Sequence, residues 1–185
     1  MDKNESLVNL FKNEFAEFEV FPATPLKVNT FKCNCSKACG INLEREASYT
    51  GLLGDENTSI MIVAESPSIS NGIGCFLGGK IEGLIENDKN LKALVNTIID
   101  LSADKQKPYF TDIIKCGLER TREKEKLTSR VHNCISKFLI KEIDIIQPQK
   151  IICIGDLSFK VLTKLQIENR ISKTIDVIKL THYSN

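Results

Sequence analysis

Long apolar runs are missing from this sequence. The longest, Ile60–Ala64 and Ile151–Ile154, fall far short of the about 20 residues a helix needs to cross a bilayer, so no membrane association is expected. The start, Met1-Asp2-Lys3-Asn4-Glu5, lacks a cationic segment leading into an apolar one, so no secretory leader is expected either. Neither sign of charge is in surplus: Lys and Arg number 25 against 24 Asp and Glu, a net charge of +1. That excludes a chain that grips nucleic acid over its whole surface and confines any such site to a local patch. Internal repeats and low-complexity tracts are absent too. With 42% hydrophobic and 26% charged residues, wholesale disorder is excluded. The 185 residues suit a single domain with a sizeable core.

Cysteine is what the chain does have, and its seven residues are unevenly placed. Cys33, Cys35 and Cys39 cluster, whereas Cys75, Cys116, Cys134 and Cys153 stand apart. An odd number without a leader argues against a disulfide framework and for a reducing, cytoplasmic setting. Clustered cysteines in such a setting point to metal, and scattered ones to small buried hydrophobes.

Leu7, Leu10, Phe11, Phe15 and Phe18 recur at helical spacing, which predicts an N-terminal amphipathic helix over about 5–20. Phe21-Pro22-Ala23-Thr24-Pro25 ends it and leads to the cysteine-rich segment 33–39. From residue 59 strands and helices alternate. Ile60–Val63, Tyr109–Ile114, Ile151–Gly155 and Ile175–Leu180 read as strands, the first and third as continuously apolar segments buried on both faces. Residues 80–102, 129–146 and 157–165 read as helices, the first broken near Asn87-Asp88, and 117–127 as a charged loop. The alternation predicts an α/β fold: a three-layer α/β/α sandwich around a central, largely parallel four-stranded sheet, all in one domain over 1–185.

Open α/β sheets bind ligands beyond the carboxyl ends of their strands. Ala64–Gly79, Thr111–Arg122 and Thr181–Asn185 should therefore converge, and they hold most of the chemically unusual residues. Glu65 follows a buried strand directly. It is either a plain surface carboxylate or one held at the mouth of the cleft to orient water or stabilise a developing cation. His182, just past the last strand, is either solvated or placed to donate a hydrogen bond to an oxygen gaining charge. His132, on a helix start, reads as solvated. Phe76, inside Gly74-Cys75-Phe76-Leu77-Gly78, is either core or a ring presented to a planar ligand. Over 115–130, Lys115, Arg120, Arg122, Lys124, Lys126 and Arg130 outnumber Glu119, Glu123 and Glu125 by six to three. Such a run is a solvated loop or, beside a cleft, a phosphate-holding patch. Cys35, Cys39, Cys116 and Cys134 could hold an iron–sulfur cubane or a tetrahedral zinc, or be unrelated thiols, and Cys33 competes as a ligand.

The motifs, taken in order, resemble the uracil-DNA glycosylase superfamily, and within it the iron–sulfur branch found in bacteria and archaea. Met61-Ile62-Val63-Ala64-Glu65-Ser66-Pro67-Ser68 is similar to that family's first motif, an apolar strand running into Gly-Glu-(Ala/Gly)-Pro-Gly. Gly74–Gly78 resembles its Gly-x-Pro-Phe-Val-Gly segment. Tyr109-Phe110-Thr111-Asp112-Ile113-Ile114-Lys115-Cys116 resembles Tyr-Ile-Thr-Asn-Val-Val-Lys-Cys. Asn133-Cys134, Phe138-Leu139 and Gln147-Pro148 before a strand ending in Gly155 are similar to the next helix and strand, and His182-Tyr183-Ser184 stands where the family has His-Pro-Ser.

The resemblance implies a DNA glycosylase that flips uracil or a related deaminated base out of the helix and hydrolyses its N-glycosidic bond. Glu65 would position water and stabilise the cationic sugar, and His182 would hydrogen-bond the departing base. Phe76 would stack on that base, Asp112 would read its edge, and Ala64, Ser66, Pro67, Ser68 and Ser184 would complete the pocket. Cys35, Cys39, Cys116 and Cys134 would bind a 4Fe–4S cluster, with Lys115, Arg120 and Arg122 on the DNA backbone. The protein would act on DNA as a monomer.

The chain departs from the family pattern at several points. Asp112 replaces Asn, and an ionised carboxylate repels uracil O4 but accepts from a cytosine-like amino group. Ala64 and Ser68 replace glycines, Tyr183 replaces Pro, and the first cysteine pair is spaced by three residues instead of two. A catalytically inactive iron–sulfur module that binds nucleic acid is the alternative reading. A more distant one is a zinc-stapled protein with an unrelated small-molecule cleft. If the four thiolates hold a cluster, Cys116→Ser should yield colourless protein of much lower Tm, since bound metal contributes folding free energy. Brown Cys116→Ser protein with an unchanged Tm would remove Cys116 from the ligand set.

Overall fold

The computed structural model describes residues 2–14, 55–66, 89–102, 105–115 and 130–181. Helix α1 (Lys3–Glu14) precedes strand β1 (Ile60–Ala64), helix α2 (Lys89–Leu101) and strand β2 (Tyr109–Asp112). Residues 130–146 are helical throughout: a π-helical stretch, Ile135–Leu139, runs into α3 (Ile140–Ile146). Strand β3 (Lys150–Ile154), helix α4 (Asp156–Ile167) and strand β4 (Asp176–Leu180) follow. The cysteine-rich segment, the glycine-rich loop around Phe76 and the basic loop 117–127 lie outside the described residues, as do Phe15 and Phe18.

The four strands pair in the order β2-β1-β3-β4, and each pairing is parallel. The expected three layers are present. Side chains alternate across a strand, so Met61 and Val63 of β1, Tyr109 of β2 and Ile151 and Cys153 of β3 join one buried cluster. That cluster also takes Leu7, Leu10 and Phe11 of α1, Ile135, Phe138, Leu139, Ile143 and Ile146 of helix 130–146, and Leu162 and Leu165 of α4. Ile62, Phe110 and Ile154 point the other way, onto Val95 and Ile98 of α2. Right-handed crossovers account for the split. The connection from β1 to β2 steps one way along the sheet and carries its helix to one face. Those from β2 to β3 and from β3 to β4 step the other way and carry theirs to the opposite face.

Helix α1 lies antiparallel along helix 130–146. Lys3 Nζ donates to the Ile146 carbonyl oxygen (2.8 Å) at one end, and Lys137 pairs with Glu14 (2.9 Å) at the other. Between them Phe11 and Phe138 stack with ring centroids 5.4 Å apart and planes inclined by 16°. Gln147, in a left-handed conformation, caps α3 through its backbone N–H on the Ile143 carbonyl, and Pro148 keeps the helix from continuing. Cys153 is one of the scattered thiols read as core: burial pushes it up to about 12, so it stays a neutral, inert side chain. Because Phe138 is fully buried and stacked, Phe138→Ala should cost about 3–5 kcal/mol in urea unfolding. A loss below about 1 kcal/mol would mean that α1 does not depend on this contact.

Candidate active site

The topology places a crevice before any side chain is considered. The connections leaving β1 and β3 run in opposite directions along the sheet, and these two strands are neighbours. Chains that diverge from adjacent parallel strands leave a gap outside their carboxyl ends, where open α/β folds bind ligands. Glu65 follows the end of β1 and Gly155 follows the end of β3, so both flank that gap.

Each rim segment has its own anchor. Past the end of β1 the ladder to β2 continues, with Ile113 N–H donating to the Ala64 carbonyl (2.9 Å) and Ile114 N–H to that of Glu65 (3.0 Å). These bonds hold the Glu65 backbone while its side chain is exposed. Ala64 and Ser66 are half-buried beside it. Asp112 is the register partner of Ala64 and is 2% exposed. Gly155 adopts φ 88°, ψ 179°, a region that side chains with a Cβ avoid. This turns the chain from β3 straight into α4, while its N–H donates to Leu180 O (2.9 Å) at the end of β4. At the same edge Lys179 pairs with Asp156 (2.6 Å), and its ammonium holds the exposed Asp156 carboxyl below the usual carboxylate range. The sequence reading takes Gly155 only as the end of a strand and does not name Asp156, although a glycine between an apolar strand and a helix is the signal for such a turn.

Lys115 requires a correction. The resemblance puts it on the DNA backbone, yet its side chain is wholly buried. Its ammonium donates to Glu142 Oε2 (2.5 Å), Thr111 Oγ1 (2.5 Å) and the Asp112 main-chain carbonyl (2.7 Å). Three protons on three protein acceptors leave none for a phosphate. Arg130, counted in the same basic run, is also buried, at 1% exposure. Glu142 completes the network: its Oε1 accepts from Thr111 Oγ1 (2.8 Å) and from Tyr109 OH (3.0 Å). The sequence reading missed Glu142. The signal was a carboxylate within the apolar stripe Phe138, Leu139, Ile143 and Ile146, and a lysine closing the otherwise apolar Ile113-Ile114-Lys115.

Cys134 is buried in the same cluster as Ile113 and Ile114, two residues ahead of Cys116 in the chain. Cys33, Cys35, Cys39, Cys116, Phe76, Pro67, Ser68, Arg120, Arg122, His182 and Ser184 lie outside the described residues. Among the described residues no three His, Cys, Asp or Glu side chains gather into a metal-binding group. No helix among them is long and apolar enough to cross a membrane. His132 is exposed, as its reading as a solvated residue requires.

A model of the uracil DNA glycosylase superfamily matches residues 52–185. The chain belongs to the uracil DNA glycosylase superfamily. The match spans β1 to the C-terminus and includes every rim segment of the crevice, leaving out α1 and the clustered cysteines. No curated protein matches the chain. Superfamily membership suggests a glycosylase-like function on DNA, and the all-parallel sheet with helices on both faces is consistent with the family's α/β fold.

The buried pair makes a stability prediction. Lys115→Met strands the Glu142 carboxylate without its counter-charge, which should cost about 3–5 kcal/mol in denaturant unfolding. Adding Glu142→Gln removes that charge and keeps an acceptor for Tyr109 and Thr111, so the double variant should be more stable than Lys115→Met alone. A double variant less stable than the single one would show that the carboxylate is not stranded.

Proposed function

We propose that this chain is a DNA glycosylase that hydrolyses the N-glycosidic bond of uracil or a related deaminated base. The observation that carries the reading is the placement of Glu65: an exposed carboxylate on a hydrogen-bonded backbone at the end of β1, beside the gap between β1 and β3. A duplex hides the bond to be broken, so the target nucleotide is first rotated out of the stack. Water then adds to the sugar's anomeric carbon as the carbon–nitrogen bond breaks, and the bonding pair leaves with the base. Positive charge develops on the sugar and negative charge on the base. The Glu65 carboxylate suits the first, orienting water and taking its proton while stabilising the cation. In the chain His182 comes two residues after β4, a strand that lies two strand spacings, about 10 Å, from β1. Its imidazole would donate to the base oxygen that gains charge. Phe76 would stack on the base, Asp112 would read its edge, and Arg120 and Arg122 would hold the backbone.

A 4Fe–4S cluster on Cys35, Cys39, Cys116 and Cys134 is part of the same proposal. The residues fit in chemistry, four thiolates being the usual cubane ligands. Of the four, Cys134 lies among the described residues, and its thiol is buried in the apolar cluster that includes Ile113 and Ile114. When bound, such a cluster supplies covalent ties between segments distant in sequence. Asp112 favours a second reading, an inactive module that binds nucleic acid, because a buried carboxylate at the base-reading position disfavours uracil O4.

Release of free base from single-stranded and mismatched uracil oligonucleotides by anaerobically purified protein separates the two. The glycosylase reading expects release that Glu65→Ala lowers by about 10²–10⁴-fold. Tight binding without release of any deaminated base would favour the inactive module instead.

A further inference from the structure

We propose that the buried Lys115–Glu142 pair is a positioning device that fixes the end of β2 and thereby sets which base Asp112 accepts. The inference rests on reading Asp112 as the base-reading residue. Stability alone does not account for the pair. Two charges buried at 0% exposure forfeit their hydration, and apolar residues of the same size hold such a site at least as well. What the pair adds is direction. An ammonium with three acceptors has one orientation. Its acceptors here come from helix 130–146 (Glu142 Oε2), from the body of β2 (Thr111 Oγ1) and from the last peptide of β2 (Asp112 O).

The third acceptor decides the role. The Asp112 carbonyl belongs to the residue whose side chain would meet the base, so anchoring that peptide anchors the Cα–Cβ direction of Asp112. Alternation along the strand keeps the device out of the pocket. Tyr109 and Thr111 turn toward Glu142, while Phe110 joins the α2 side of the sheet, and Asp112 follows Phe110 in that alternation. The network holds the strand from behind and leaves the base-facing side to Asp112. A shift of this peptide would re-aim a hydrogen bond on which discrimination between a carbonyl and an amino group depends. Lys115 and Glu142 are thus positioning residues that touch no substrate.

The test measures base preference in binding, which does not require turnover. Oligonucleotides carrying one 2′-fluorinated deoxyuridine or deoxycytidine, which resist hydrolysis, are titrated by fluorescence anisotropy against wild type and Lys115→Met/Glu142→Gln. The ratio of the two affinities is internal to each protein, so a loss of folded fraction cancels from it and a merely structural role would not move it. Wild type should prefer one base by about tenfold or more, and the double variant should bring the ratio close to one. An unchanged ratio in the folded variant, or no preference in wild type, would overturn the proposal. If the double variant does not fold, Thr111→Val, which takes one acceptor from the ammonium and keeps both charges, should narrow the ratio. An unchanged ratio there overturns the proposal equally. The underlying reading fails separately: a wild type that prefers one base in binding but releases none from unfluorinated DNA is no glycosylase, and the positioning role stands if the variants bring the ratio close to one. Release with an unaltered ratio in the variants sinks only the positioning role.

Discussion

Parallel strands cannot be joined by a tight turn, and each connection must travel back along the sheet before the next strand can start. Three such crossovers link the four described strands, and their common hand distributes the helices: α2 on one face, helix 130–146 and α4 on the other. The same constraint creates the crevice. Because the strand order takes the chain from β1 in one direction and from β3 in the other, the carboxyl ends of two central strands lie side by side at the point where the order reverses. Glu65 and Gly155 sit at that gap as a consequence of strand order, before any of their own chemistry is considered.

The two faces are stabilised differently. Among the described residues the apolar cluster on the α2 side is the smaller one, built on Ile62, Val95, Ile98, Phe110 and Ile154. On the other side an extensive apolar cluster surrounds a buried set of polar groups: Tyr109, Thr111, Lys115 and Glu142. Such a set is tolerable only when its members satisfy one another, since a stranded charge in a low-dielectric interior costs several kcal/mol. Here the satisfaction is reciprocal: the ammonium donates three times, Glu142 Oε1 accepts twice, and the Thr111 hydroxyl both accepts and donates. The result joins the carboxyl end of β2, on the rim of the crevice, to a helix that also carries Cys134 and stacks on α1 through Phe138. The position of the end of β2 and the cohesion of that helical layer therefore depend on the same few atoms.

Much of the fold could be read from periodicity. Ile60–Val63 and Ile151–Ile154 are continuously apolar because both faces of a central parallel strand are covered, and both are strands paired to each other. The stripe from Cys134 to Ile146 marks a helix, and the structure adds a π-helical stretch over Ile135–Leu139 that side-chain spacing alone does not reveal. The position of Glu65 was legible as well: a carboxylate directly after a buried strand stands out in one dimension. Lys115 was misread because a cation beside Arg120 and Arg122 resembles a solvated patch until its partner is known. That partner, Glu142, lies 27 residues away on another element, and within its own helix it differs from a surface carboxylate only by the face it occupies.

By itself, then, the sequence determined the alternation of strands and helices, the covering of the sheet on both faces and the chemical types at the strand ends. These follow from side-chain polarity and spacing, which are local properties of the chain. Only the tertiary structure decided the strand order, and with it the gap between β1 and β3. It alone turned Lys115 inward onto Glu142 and brought Asp112 into register with Ala64. Those outcomes depend on contacts between residues far apart in the chain. An ion pair of that kind has no signature until folding removes water from both partners at once.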